Sequence, residues 1–272
     1  MIDPTIHPDL VYDLGAHNGD DTASYLSQGY RVVSVEPTPS LAGLLQQRFA
    51  PAIKDRRLFV LNAAITDEDS EKVTFYVSQA DWKSSLIKDI SSRESIVDEI
   101  IEIPAKTIVS LFREFGVPGY CKMDIEGYDS RVIASMRSGA FRPSFLSCEA
   151  CCYRISEINS REALLYQTLD ALQGVGYTAF KLVDQEGFAV LADQEHYSYL
   201  HSIPGRITAK FRKLTGHRLP ATAPFGERLP GEWADYITAK KYLAYHFREY
   251  FRFTQNKEQI FWVDIHAKWP AE

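Results

Sequence analysis

The sequence predicts an α/β fold: a doubly wound, mostly parallel sheet with a helical insertion near the C-terminus. Three observations predict it. Short apolar runs alternate with segments of helical periodicity through roughly the first half of the chain, joined by short connections. The first run, Leu10 to Leu14, stops at Gly15, with Gly19 and a helical pattern behind it, which reads as a strand, a tight turn and a helix start. A later run from Gly119 to Met123 ends in Asp124, Glu126 and Gly127 before another helix. In open α/β sheets the carboxyl ends of the strands line the ligand crevice, so these two distant stretches are expected to meet there.

Taken in order, Leu10–Leu14 is the first strand, and Thr22–Gln28 a short helix stopped by Gly29. Arg31–Val35 is the second strand, closed by Glu36 and Pro37, and Ser40–Phe49 a helix with Leu41, Leu44, Leu45 and Phe49 at helical spacing. Leu58–Ile65 is expected as one third strand, interrupted by Asn62-Ala63-Ala64. Val73–Val77 alternates as a strand should, and a polar loop follows, Asp81 to Leu86, holding the single large aromatic Trp82. Ile100–Pro104 is a strand, Thr107 caps the helix Ile108–Phe115, and the strand into Asp124 follows. Phe145–Glu149, a helix Ile158–Leu172, Tyr177–Val183 and a last strand Phe261–His266 complete the core.

The expected division is an α/β core over residues 1–192, a helical cap over 193–258 and a returning strand over 259–272. In the insertion, Ile207, Phe211 and Leu214 form an apolar stripe beside Arg206, Lys210, Arg212, Lys213 and Arg218. That basic segment 206–218 has three readings: a solvated helix face, a receiver of an anionic substrate, or a membrane-surface helix. After a loop rich in proline and glycine, Trp233, Tyr236, Ile237, Leu243, Phe247 and Phe251 recur at helical spacing. The insertion is expected to pack over the mouth of the site and carry substrate choice.

With 272 residues the chain can bury a large core, and one elaborated domain is favoured over two. Its 45% hydrophobic and 24% charged residues are those of a soluble globular protein. A net charge of −6 argues against a general nucleic-acid binder. No apolar run approaches the ~20 residues needed to span a bilayer, and the start Met1-Ile2-Asp3-Pro4 lacks signal-peptide character, so a cytoplasmic location is expected. Four cysteines are too few for a disulfide framework in a chain of this length. Cys148 and Cys151 have C-x-x-C spacing, but no second pair or paired histidines accompany them. Cys121, Cys148, Cys151 and Cys152 therefore read as reduced, partly buried thiols.

The first turn points to a ligand class. Its glycines suit a ligand that approaches the backbone closely, but the loop does not read G-x-G-x-x-G. Asp20 and Asp21 at the helix start would repel a pyrophosphate placed against those amides. Glu36 lies 23 positions after Asp13, where an acid can take ribose hydroxyls. A ribose on one side and a cationic amino acid on the other describe S-adenosylmethionine. The plainer alternative is that Asp20 and Asp21 favour the helix dipole and Glu36 is a surface residue.

The ordered set Asp13-Leu14-Gly15-Ala16 with Gly19 and Thr22, then Val35-Glu36-Pro37, Asn62-Ala63-Ala64-Ile65 and Lys122-Met123-Asp124-Ile125-Glu126-Gly127 resembles the FkbM-type methyltransferases, over about residues 10–150. The resemblance implies the Rossmann-like class I methyltransferase fold, with the last strand antiparallel at or near the sheet edge. It also implies that Asp13, Gly15, Gly19, Glu36 and Asp124 line an S-adenosylmethionine site, with Ala16, Asn18, Thr22, Pro37, Asn62, Ala63 and Ala64 of the same motifs beside them. His17 stands where that family commonly has Asn. The implied acceptors are hydroxyls of sugars, polyketides and other small natural products.

Methyl transfer from a sulfonium is an in-line displacement, and a hydroxyl acceptor must also lose its proton. Asp124 is the first candidate base and His17 the second. Trp82, Ser85, Glu126 and Tyr128 are candidate substrate contacts. Asp124 and Glu149, at consecutive strand ends, could also hold Mg²⁺ between oxygen ligands. The leading expectation is an S-adenosylmethionine-dependent O-methyltransferase acting on a small-molecule hydroxyl, such as that of a sugar or natural-product glycoside. The alternatives are a nucleic-acid methyltransferase, a nicotinamide-dependent oxidoreductase (disfavoured by the loop spacing), and a non-catalytic nucleoside-binding module on the same fold.

Overall fold

In the computed structural model the first strand, β1 (Ile6–Leu14), is buried on both faces from Leu10 onward, as the centre of a parallel sheet must be. The structure describes residues 5–78, 84–88, 97–150, 163–184, 190–191, 224–254 and 263–270. The chain divides into two compact units, Met1–Leu146 and Ser147–Pro270.

In the first unit, β1 is followed by α1 (Asp20–Ser27), β2 (Arg31–Val35), α2 (Pro39–Arg48), α3 (Ala50–Lys54) and β3 (Leu58–Leu61). Then come β4 (Ala64–Thr66), β5 (Ser70–Ser78), β6 (Val97–Thr107), α4 (Ile108–Phe115), β7 (Val117–Met123) and α5 (Asp129–Ser135). The strands β3-β2-β1-β7 lie side by side in that order, and the three pairings are parallel. β1 thus has β2 on one side and β7 on the other, and their carboxyl ends form one edge. Tyr12 is buried in β1, and its hydroxyl reaches the carbonyls of Leu111 (2.9 Å) and Gly116 (2.7 Å), tying the end of α4 to the sheet.

The expected single strand Leu58–Ile65 is two strands in two sheets. β3 ends at Leu61, and β4 joins a separate three-stranded sheet in the order β4-β6-β5. Asn62 stands at the break, where its side-chain amide donates to the carbonyls of Glu36 (2.9 Å) and Pro37 (2.8 Å). The small sheet has its own core of Ala64, Phe75 and Ile103, packed by Val73, Val77 and Leu86. The predicted cap at Thr107 is present, its hydroxyl accepting the Ser110 amide at 3.0 Å.

The second unit begins within β8 (Phe145–Glu149) and holds α6 (Ala163–Gly174), β9 (Ala179–Asp184), α7 (Tyr236–Thr254) and β10 (Val263–Lys268), with strand order β8-β10-β9. β10 pairs antiparallel with β9, as the family resemblance implies. α7, the longest described element of the insertion, packs against α6 and β9. The basic segment 206–218, Trp82, Cys151, Cys152 and the start of the expected last strand lie outside the described residues. Cys121 and Cys148 are buried free thiols.

Candidate active site

The turn after β1 is shaped by backbone. The amides of Gly15 and Ala16 both donate to the carbonyl of Val35, at 2.9 and 3.0 Å. Gly15 (φ +82°), His17 (φ +47°) and Gly19 (φ +80°) are left-handed, which folds the chain sharply into α1. A Cβ on Gly15 would stand 1.9 Å from the carbonyl oxygen of Asp124, and one on Gly19 would stand 2.4 Å from the Leu45 side chain. The protein's own backbone and α2 therefore demand these glycines, where the spacing alone suggests a ligand's approach. The Asp124 amide donates to the Leu14 carbonyl at 2.9 Å, so the ends of β1 and β7 are strapped together.

Glu36, at the tip of β2, is 4% exposed. Its Oε2 accepts the His17 amide and its Oε1 the Thr38 amide, both at 2.8 Å. Burial pushes its carboxyl above the usual range, and these two amides oppose the shift. It is not the surface residue of the plainer alternative.

Under the turn lies a knot of charge. Asp13 is buried, and its Oδ2 accepts the Thr22 hydroxyl at 2.6 Å. With its proton so used, Thr22 accepts from Ser34 at 2.7 Å. Thr22 is itself fully buried, so its role is to anchor Asp13. Asp13 and Lys122 are register partners on β1 and β7. Lys122, with 18% of its side chain exposed, places Nζ 2.7 Å from Asp21 Oδ2 and 3.1 Å from Asp124 Oδ2. Burial opposes its charge, but Asp124, Asp21 and Asp13 together hold its ammonium well above the usual range. Burial raises Asp13 to about 6, with Lys122 pulling the other way.

The acids at the start of α1 are not the free charges the sequence suggests. Asp21 is paired with Lys122, and Asp20 with Arg48 at 2.9 Å. Arg48 also donates to the Asn18 carbonyl at 2.6 Å, and the Asn18 side chain accepts the Asp20 amide at 3.0 Å. Arg48 from α2 thus answers Asp20, and Asp21 shares the Lys122 ammonium of β7 with other acids, so neither is a bare charge at this helix start.

Past β7 the loop turns through Glu126 (φ +53°) and Gly127 (φ +86°). Buried Ser85 donates to the Glu126 carbonyl at 2.9 Å, and Tyr128 donates to Asp67 at 2.8 Å. Arg131 also holds Asp67 at 2.9 Å and lies over the Tyr128 ring. Burial and Asp67 push the Tyr128 phenol up to about 12. Both hydroxyls thus support the loop. Asp129, 3% exposed at the start of α5, is raised to about 7 by burial and by the charge of Asp124.

The structure thus brings Asp13, Gly15, Ala16, His17, Glu36 and Asp124 to one edge, with Asn62 and Pro37 joined through Glu36. Ala63 and Ala64 are buried, and Glu149 belongs to the second unit. Lys122, Asp129 and the Asp67–Arg131 pair are absent from the sequence-derived site. Asp67 and Tyr128 lie 61 residues apart with no motif to join them. Lys122 could have been found, since it stands two residues before Asp124 in an apolar run where a charge needs a partner. Among the described residues no cluster of three or more His, Cys, Asp or Glu is placed to hold a metal ion.

A family model described as the methyltransferase FkbM domain matches residues 13–179. No curated protein matches in sequence. Among solved structures, the chain is similar to Haemonchus contortus phosphoethanolamine N-methyltransferase 2 in complex with S-adenosyl-L-methionine, at 10% identity and a TM-score of 0.41. That match covers 99% of this chain and 50% of the other, so the chain spans half the length of that relative. The StiE O-MT structure is similar at 10% identity and a TM-score of 0.42, covering 96% and 68%. Geranyl diphosphate C-methyltransferase of Streptomyces coelicolor A3(2), in complex with Mg²⁺, geranyl diphosphate and S-adenosyl-L-homocysteine, gives 9% identity, a TM-score of 0.42, and 97% and 74% coverage.

Proposed function

Because this chain belongs to the FkbM methyltransferase domain family, we propose that it transfers a methyl group from S-adenosylmethionine to a hydroxyl of a small molecule. The observation that carries the reading is the edge where β2, β1 and β7 end in Glu36, Asp13 and Asp124 around a single backbone turn.

The residues fit a sulfonium nucleoside. Each Glu36 oxygen accepts one amide and keeps a second lone pair, which ribose hydroxyls can use. Asp13 Oδ1 is buried without a hydrogen-bond partner among the described residues. Asp13, Asp21 and Asp124 around the single ammonium of Lys122 leave a negative excess that complements a ligand of net positive charge. Gly15, Ala16, Asn18 and Gly19 would form the floor, with Asn62 holding Glu36 and Pro37 beside it. When bound, the cofactor supplies an electrophilic methyl on sulfur.

The chain's own part is alignment and proton removal. Asp124 has a side chain 38% exposed, against 17% for Asp21 and buried Asp13 and Glu36, so it is the acid an acceptor hydroxyl can reach. It takes the acceptor's proton as the oxygen attacks. The strap from its amide to Leu14 fixes its position relative to the turn. The acceptor class, sugars and glycosides, follows from the family resemblance.

Calorimetry with S-adenosylmethionine, S-adenosylhomocysteine and NAD is expected to show binding of the first two alone; binding of NAD alone would overturn the reading. Methyl incorporation across glycosides and oligonucleotides is expected for a glycoside. Transfer only to oligonucleotides would replace the acceptor class. Asp124→Asn is expected to lower turnover far more than thermal stability. Turnover abolished by EDTA and restored by Mg²⁺ would move proton removal from Asp124 to a metal.

A further inference from the structure

We propose that Lys122 is a positioning residue that ties Asp21 to Asp124 beside Asp13, so that Asp13 and Asp21 face the cationic amino-acid end of the cofactor and Asp124 faces the acceptor. The proposal rests on the methyltransferase reading of the same site. Its geometry is direct: one ammonium bridges a carboxylate from α1 (2.7 Å) and one from the end of β7 (3.1 Å), and stands in register beside Asp13 of β1. Three carboxylates from three elements thus converge on one lysine.

The other groups that face the knot do not relieve it. Asp129, from α5, adds negative charge behind Asp124 only as pH rises through about 7. The phenol of Tyr25, from α1, feels Asp21 and Asp13, and the thiol of Cys121, from β7, feels Asp13 and Asp129; both are pushed up and stay neutral. Arg48, the other cation at this turn, is committed to Asp20 and the Asn18 carbonyl. Remove the Lys122 charge and Asp13, already raised by burial, loses the cation that pulls the other way and holds its proton to higher pH. A protonated acid no longer attracts an ammonium, so cofactor affinity becomes dependent on pH through the neutral range.

Two measurements on purified wild-type protein, Lys122→Met and Lys122→Arg test this. The first is thermal melting without ligand from about pH 5.5 to about pH 8.5. The gap between wild type and Lys122→Met is expected to widen as pH rises, because the unbridged carboxylates repel once ionised. A gap that stays constant with pH overturns the proposal and makes Lys122 a packing residue. The second is calorimetry with S-adenosylhomocysteine over the same range. Lys122→Met is expected to bind roughly tenfold or more weakly near pH 6.5, recovering to within about threefold near pH 8.5, with Lys122→Arg close to wild type throughout. A loss equal at every pH, or none, overturns the positioning role. Failure of wild type to bind at any pH overturns the methyltransferase reading instead, while the melting gap still decides whether Lys122 governs the charge of its neighbours.

Discussion

Gly15 shows how much one hydrogen can decide. Its Cβ would meet a backbone carbonyl at 1.9 Å, and backbone held in a sheet cannot step aside. Gly15→Ala is expected to destabilise by roughly 3 kcal/mol or more in urea denaturation. Gly29 has a similar φ of +89° but nothing within 4 Å, so Gly29→Ala is expected to cost only about 1 kcal/mol. Equal costs would remove the Asp124 carbonyl from its place against the turn.

Asp129 makes a pH prediction of definite sign. Its folded carboxyl is raised to about 7, above the unfolded value, so its favourable contribution is complete in acid and is lost as pH rises through 7. Asp129→Asn escapes that loss. The variant's melting temperature relative to wild type is therefore expected to rise by roughly 2–6 °C between pH 5 and pH 8. A flat difference would show that Asp129 titrates normally. Positions such as Gly15, Glu36 and Asp124 were legible because each terminates an apolar run, and Asp13 because it is the one charge inside such a run. The destination of a charge was not: nothing local tells that Asp21 is answered from β7 and Asp20 from α2.

At the scale of elements, helix α4 was predicted to the residue because a cap, an amphipathic stretch and a glycine stop agree. The run Leu58–Ile65 misleads because an apolar composition does not say which sheet a strand joins. Asn62 holds that boundary by donating to two carbonyls that close β2. Asn62→Asp has the same shape and no donor. It is expected to cost roughly 2–3 kcal/mol at neutral pH, and less near pH 4, where the carboxyl regains a proton. Chemical denaturation at the two pH values checks this; equal stability to wild type would mean the split of β3 from β4 does not depend on that amide.

For the molecule as a whole, the matched family model begins at Asp13 and runs through residue 179, taking in all of the acid-tipped edge. A ligand that binds the native state at about one hundred times its Kd adds about 2.7 kcal/mol. S-adenosylhomocysteine at that excess is expected to raise the melting temperature by several degrees, and NAD at equal concentration to leave it unchanged. A shift with both would indicate a looser nucleoside site.

The contact between the Gly15 turn and the Asp124 carbonyl has a consequence for motion and for descent. Two stretches more than a hundred residues apart are meshed like gear teeth, so a fluctuation that lifts the first turn must drag the Asp124 backbone with it. Opening of the turn and displacement of the Asp124 carboxylate become one event. A graft of the first turn from a distant cousin would stall unless the far tooth came with it.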